Sequence, residues 1–476
     1  MLTSILSALI ISVTSLGPTA AAPAAVDAAA IDALVEQYRE QTSLPGVAVA
    51  VTHGTEVVHT AGYGHTPDGD AVSAHTVMAA ASVSKSFTAL AVLRLVEDGR
   101  IGLDDPVRVH LPEFTMADPR AADVTVRQLL DQTSGMSDTT HRSFSGPPVH
   151  TLEEAVAAMR DSALAADPGT RWEYHNPNFQ VAARLVEVVG GVPFAEYLRR
   201  HVFAPLGMRD SGTADTARDL PPSARGHIKV LGLPVALPEP PAFGNGSGGV
   251  LTSAHDLAAW LIAQHNEGRG PDGAVVATPR SIAEAHTPSA VSESYGLGWF
   301  VGVTPSGARL IDHGGDLFTS TAYQALLPDS GHGIAVMANT GLQHGDAQAL
   351  GERLIALVEG RQVPPAGDPS AVVDAVLLVL ALAVAALAVR GVLRSGRWAD
   401  RRRSAARLVP LVLPLLLLAT VHRVVGYLYR GRDVAWLQVP HLYPTFTVVL
   451  AVASLGGVAV LVARLVAISA RRADAG

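Results

Sequence analysis

A chain of 476 residues with 43 acidic and 35 basic side chains carries a formal charge of −8, so it presents no cationic field for nucleic acid. It contains no cysteine, which excludes disulfides, thiolate metal sites and a thiol nucleophile; its histidines show no metal-ligand spacing such as His-x-x-x-His, so neither a metal nor another cofactor is expected. Hydrophobic residues at 48% against 16% charged are high for a wholly soluble protein and direct attention to membrane segments.

In chain order, Leu2 to Leu16 is apolar and hydroxylated and leads into Pro18-Thr19-Ala20-Ala21-Ala22, so residues 1–22 read as an export signal ending in small residues, with an uncleaved anchor as the alternative. Residues 26–360 then mix short β-like stretches, such as Gly46 to Val51 and Glu56 to Thr60, with amphipathic helices such as Ile31 to Gln41, the pattern of an α/β domain.

Lysine occurs twice against 33 arginines, and one of the two, Lys85, stands three positions after a serine in Ala81-Ser82-Val83-Ser84-Lys85-Ser86-Phe87-Thr88. An ammonium can be made to lose its proton and then accept one from a hydroxyl, whereas a guanidinium cannot. Phe87, Leu90, Leu93 and Val96 recur at helical spacing up to Gly99, so a helix is expected from Ser82 to Asp98, with Ser82 and Lys85 on one face of its first turn. Ser82 is the candidate nucleophile, and a capping serine beside a solvated lysine is the ordinary alternative.

Tyr174-His175-Asn176 precedes a helical run, Val181 to Val189, and so falls at a loop-to-helix junction. A phenol of reference pKa about 10 becomes a useful base only where cations such as Lys85 stabilise its phenolate. Further on, Leu310 to His313, Thr319 to Leu327 and Gly333 to Asn339 read as strands of an antiparallel sheet edge, the last two joined by Pro328-Asp329-Ser330-Gly331. His313-Gly314-Gly315-Asp316 ends the first of these, and its glycines remove side chains where a substrate could approach the sheet edge.

A Pro-rich linker, residues 361–370, leads to three apolar runs, Ala371 to Val389, Leu408 to Tyr429 and Pro444 to Ala463, each long enough to cross about 30 Å of hydrocarbon. Seven arginines in the loop 390–407 and Arg471-Arg472 in the tail 464–476 place those segments in the cytoplasm; the poorly charged loop 430–443 and the α/β domain then lie outside. A multi-pass protein of the cell membrane is expected, with the bilayer as its partner. Asp374 and Arg423, at similar depth in the first two spans, are expected to pair.

Ser82-x-x-Lys85, Tyr174-x-Asn176 and His313-x-Gly315 occur once each, in that order, 92 and 139 residues apart. With Gln132-Thr133-Ser134-Gly135-Met136, Phe203-Ala204-Pro205-Leu206-Gly207-Met208, Gly248-Gly249-Val250-Leu251-Thr252-Ser253 and Tyr295-Gly296-Leu297-Gly298-Trp299, the chain resembles the serine β-lactamase-related family, which includes class C β-lactamases, D-alanyl-D-alanine carboxypeptidases, D-aminopeptidases and certain esterases. The resemblance covers about residues 30–358. It implies a two-lobed β-lactamase/penicillin-binding-protein-like fold, an antiparallel sheet flanked by helices plus an all-helical lobe, here followed by three transmembrane helices. It further implies that Ser82 forms an acyl-enzyme, that Lys85 and Tyr174 manage the proton, that Asn176 and the His313 to Asp316 segment contact the substrate, and that the N–H groups of Ser82 and Asp316 form the oxyanion hole.

Many β-lactamases carry Lys-Thr-Gly where this chain has His313-Gly314-Gly315, so a permanent cation is missing there. An esterase or D-amino-acid-type peptidase acting on a small-molecule or peptide substrate is therefore expected ahead of a β-lactamase or D-Ala-D-Ala carboxypeptidase. A membrane-bound peptidase that removes an acyl-D-amino-acid cap from a natural-product precursor is an alternative on architecture. Two further alternatives, a non-turnover β-lactam receptor and an inactive accessory of transport, are disfavoured by the short cytoplasmic segments and the intact motifs respectively. The sequence leaves the oligomeric state open.

Overall fold

The computed structural model describes residues 27–367, 370–400, 405–428 and 431–474; the expected export signal lies outside them. Helix α1 (Ala28–Thr42) starts where the Asp27 carboxylate accepts the Ala30 N–H. Strands β1 (Gly46–His53) and β2 (Glu56–Gly64) follow as an antiparallel pair.

Later in the chain come α2 (Ser84–Glu97), α3 (Pro177–Gly190) and α4 (Ala254–His265), then β3 (Phe300–Val303), β4 (Arg309–Asp316), β5 (Thr321–Leu327) and β6 (His332–Ala338), and α5 (Asp346–Val358). The six strands form one sheet in the order β2-β1-β6-β5-β4-β3, and every pairing is antiparallel. The chain therefore closes its sheet by inserting the last strand, β6, against the first, with Val49 opposite Val336.

Strand periodicity decides which face each residue serves. Val47, Val49 and Val51 point to α1 and α5, joining Ile31, Val35, Leu350 and Leu354 in one core; Ala48 and Ala50 point the other way, toward Leu257 and Leu261 of α4 and the Phe87 region of α2. Each fully buried Val, Leu or Ile there contributes about 1.5–3 kcal/mol. The second core continues without a break into a helical lobe around α2 and α3, so α2 is shared by sheet and lobe and its first turn lies on the seam between them.

Beyond the linker stand α6 (Ser370–Leu393), α7 (Leu413–Leu428) and α8 (Pro444–Asp474). By length and composition, α6 and α8 are long and apolar enough to cross a membrane. The expected middle span is a 16-residue helix, α7, preceded by a 3-10 segment, Ala405–Leu411, in which Pro410 cannot donate a backbone hydrogen bond. Gly456 faces the Ala388 methyl and Gly391 faces Val460, each where a Cβ would come within 2.7 Å, so small residues allow α6 and α8 to pack closely.

Asp374 does not pair with Arg423. Its carboxylate accepts the Leu231 N–H at 2.7 Å and the Thr445 hydroxyl at 2.6 Å. The turn of the hairpin Gly226–Val230/Leu233–Leu237 reaches down to the start of α6 and supplies one donor, and Thr445 at the start of α8 supplies the other, so the carboxylate is satisfied without Arg423. The apolar helices and the α/β domain are thus in direct contact, also through Phe318 and Leu342 packed against Val421, Val425, Val439 and Leu442.

Candidate active site

Ser82 lies in a 3-10 turn, Ala81–Val83, and the α-helix proper begins two residues later than expected, at Ser84. The cause is Ala81, whose φ of 47° is left-handed for a residue with a Cβ and costs about 1–2 kcal/mol. That kink buries Ala81 and leaves Ser82 partly open. The hydroxyls around it fix the turn. Ser84 accepts the Val250 N–H at 2.9 Å, Thr88 donates to the Gly246 carbonyl at 2.6 Å, and Ser86 accepts from Gln324 of β5 at 3.0 Å.

Lys85 is fully buried on α2. Its Nζ lies 2.7 Å from the Ser247 carbonyl, 2.9 Å from Asn176 Oδ1 and 3.0 Å from Ser82 Oγ. Burial holds its pKa well below the usual lysine range, the Arg432 guanidinium pushes it further down, and Asp316 opposes both. A neutral amine has two N–H donors and one lone pair. The two carbonyl oxygens accept the donors, which leaves the lone pair for the Ser82 hydroxyl.

Tyr174 closes the other side, with its ring centroid 4.8 Å from Lys85 Nζ. Burial raises the phenol's pKa above its ordinary value, while its hydrogen bond with Ser82 and the charge of Arg432 act to lower it. Asn176 occupies the N-cap position of α3 without capping it, because its carbonyl is given to Lys85. Between these two, His175 turns away from the cleft. Its ring is buried and Nδ1 meets Asp138 Oδ1 at 2.7 Å.

His313 is buried, with its ring centroid 6.1 Å from that of Tyr174. Its Nδ1 donates to the Gly314 carbonyl at 2.6 Å, so Nε2 accepts the Tyr295 hydroxyl at 3.2 Å; burial lowers its pKa to about 3, which keeps it neutral. What faces the nucleophile is glycine. A Cβ on Gly315 would stand 2.4 Å from the Ala80 carbonyl and 3.1 Å from the Ser82 amide nitrogen, so only glycine lets the end of β4 run beside Ser82. Asp316 opens into the cleft, where the surrounding walls still desolvate it and raise its pKa against the pull of Arg432 and Lys85.

Ser82, Lys85, Tyr174 and Asn176 therefore converge, with Gly314, Gly315 and Asp316 on the adjoining strand end and the buried His313 ring beside Tyr174. Sequence reasoning missed the Ser247 carbonyl, Asp138 and Arg432. A backbone acceptor leaves no trace in a side-chain pattern. Arg432 comes from the loop between α7 and α8; its Nε lies 3.0 Å from Asp138 Oδ2 and its Cζ 5.4 Å from the Tyr174 ring centroid.

A serine and a lysine one turn apart, placed at the seam of an antiparallel sheet and a helical lobe, make the arrangement of serine hydrolases with the β-lactamase fold. The chain belongs to the Beta-lactamase family, whose model matches residues 31–359. It is 28% identical over 312 residues to Protein flp of Staphylococcus aureus (strain MW2), an alignment covering 64% of this chain and 62% of that relative's length, and so less than two thirds of it. It is 29% identical over 351 residues to Penicillin-binding protein 4 of Amycolatopsis lactamdurans, covering 70% of this chain and 91% of that one. Among solved structures, the octameric penicillin-binding protein homologue from Pyrococcus abyssi superposes with a TM-score of 0.61 at 26% identity, over 71% of this chain and 78% of that one.

Proposed function

We propose that the protein is a membrane-anchored serine hydrolase that cleaves an ester or amide outside the cell through an acyl-enzyme on Ser82. The observation that carries this reading is the placement of Lys85: its buried Nζ lies 3.0 Å from Ser82 Oγ while two carbonyl oxygens take its other hydrogen bonds, so that in the neutral amine the lone pair is left for Ser82. As Oγ attacks the substrate carbonyl, its proton passes to the Lys85–Tyr174 pair, and Tyr174 hands it on to the leaving group. In this reading the N–H groups of Ser82 and Asp316 hold the developing oxyanion. Water then attacks the acyl-enzyme by the same proton route in reverse.

His313 is neutral with both nitrogens engaged, which fits an esterase or D-amino-acid-type peptidase better than an enzyme that reads a carboxylate at this strand. Parity supports the membrane arrangement. The loop after α7 contacts the catalytic domain, so if α6 leaves that side of the bilayer, the segment ending in α7 must return to it. Three crossings follow, with the catalytic domain and the 431–443 loop on one side and the Arg-rich segments on the other. Exposed Val372, Leu382 and Leu455 then face lipid.

The test is turnover by the purified full chain of p-nitrophenyl esters, D-aminoacyl amides and nitrocefin beside Ser82→Ala. Hydrolysis of one class that is lost in the variant is expected; hydrolysis unaffected by it would refute the assignment.

A further inference from the structure

We propose that Arg432, carried by the loop between α7 and α8, is the anion-recognition residue of the active site, so that the apolar C-terminal region completes the substrate pocket for a substrate bearing a carboxylate near its scissile bond. The inference rests on the serine-hydrolase reading and names its substrate class.

The strand position where a lysine would stand holds a buried His313 with both ring nitrogens occupied, and Lys85 is spent on proton transfer. A lasting positive charge at the cleft comes instead from the far end of the chain. Arg432 bonds Asp138 through Nε alone, and among the described residues its two terminal nitrogens have no hydrogen-bond partner. A guanidinium held by Nε with its fork free is set up to receive a carboxylate in bidentate fashion. Its side chain is 42% exposed.

The loop is fixed before any ligand arrives. The Asp433 N–H donates to Asp138 Oδ2 at 3.2 Å, and the Asp433 carboxylate accepts the N–H groups of Phe144 and Ser145, each at 2.7 Å. Asp138 is in turn held by His175, the middle residue of the Tyr174-His175-Asn176 motif. Pinning of this kind removes the ordering cost that a mobile arginine would meet on binding. Arg432 stands between Tyr174, whose ring centroid is 5.4 Å from its Cζ, and a separate cavity of about 390 Å³ that it lines with Arg142, His422 and Arg423 but without Ser82, Lys85 or Tyr174. Its lining carries three arginines, Arg142, Arg423 and Arg432, against two aspartates, Asp138 and Asp433, a formal excess of one positive charge.

The experiment compares full-length wild type, Arg432→Gln and Arg432→Lys in detergent on two matched ester pairs of an N-acyl-D-alanine: one with a free carboxylate or its methyl ester on the leaving group, one with the same choice on the acyl group. For at least one pair, wild type is expected to favour the carboxylate. The ratio of kcat/KM values, carboxylate over methyl ester, is expected to fall about tenfold in Arg432→Gln and to be partly restored by Arg432→Lys. A ratio that does not move in either pair overturns the proposal. A fluorophosphonate probe run in parallel separates the two readings. Labelling of Ser82 with an unmoved ratio removes the arginine's role and leaves the hydrolase standing, whereas absence of Ser82 labelling in wild type removes both.

Discussion

Asn176 gives its side-chain carbonyl to Lys85 at 2.9 Å and leaves α3, the helix it begins, without a side-chain cap. A missing cap costs about 1 kcal/mol, and here that stability is given up to orient an amine. With Ser247 holding the second N–H, the amine acts as a base only when unprotonated. The rate should therefore rise with pH as Lys85 loses its proton. Arg432 helps to keep that pKa low, so removing its charge raises the pKa. The acid limb of kcat/KM for Arg432→Gln is expected to lie at higher pH than in wild type, as measured on a neutral ester; a limb at lower pH would contradict this electrostatic assignment.

Gly315 bears on geometry alone. In Gly315→Ala the new methyl group would meet backbone atoms of Ala80 and Ser82, which have no flexible end to move aside. A destabilisation of about 1–3 kcal/mol is expected in thermal or denaturant unfolding, together with a fall in kcat. Wild-type stability and rate would show that β4 can retreat from Ser82.

Lys229, the only other lysine, serves structure rather than chemistry. It is buried and lies 2.9 Å from Asp346 Oδ2, whose other oxygen accepts the Tyr38 hydroxyl. Lys229→Met leaves that carboxylate without its cation, and a loss of about 3–5 kcal/mol is expected in the unfolding of the full chain. An unchanged melt would show that the remaining donors suffice.

The absence of cysteine makes single-cysteine reporters clean. Leu437, exposed on the 431–443 loop, and Gly396, exposed beyond α6, should fall on opposite sides of the bilayer. In intact cells a membrane-impermeant maleimide is expected to label Leu437→Cys and to label Gly396→Cys only after permeabilisation. Equal labelling of both before permeabilisation would rule out the three-crossing arrangement.

Much of this was legible in the sequence because its signals are local. The Ser82/Lys85 spacing, the Tyr174-His175-Asn176 junction and the β-like stretch Gly46 to Val51 are each short patterns; β1 covers the expected strand and α3 the expected helical run, while α2 begins two residues late. Three features were not legible, for different reasons. The left-handed Ala81 carries no compositional mark, since that conformation is signalled by glycine or asparagine and not by alanine, so the delayed start of α2 was not legible. Asp374 was paired with Arg423 on depth, but a backbone N–H from a hairpin some 140 residues earlier in sequence lies closer. Arg432 belongs to the poorly charged outer loop 430–443; its approach to Tyr174 depends on how α7 and α8 dock on the domain, which no local pattern records.

The central claim is that Ser82 becomes acylated with Lys85 as its base. Its most direct test is the intact mass of the full-length protein after treatment with a fluorophosphonate, followed by peptide mapping, for wild type and Ser82→Ala. One adduct on the peptide carrying Ser82, absent from the variant, is the predicted result. The same adduct on both proteins, or its placement on another residue, would contradict the account.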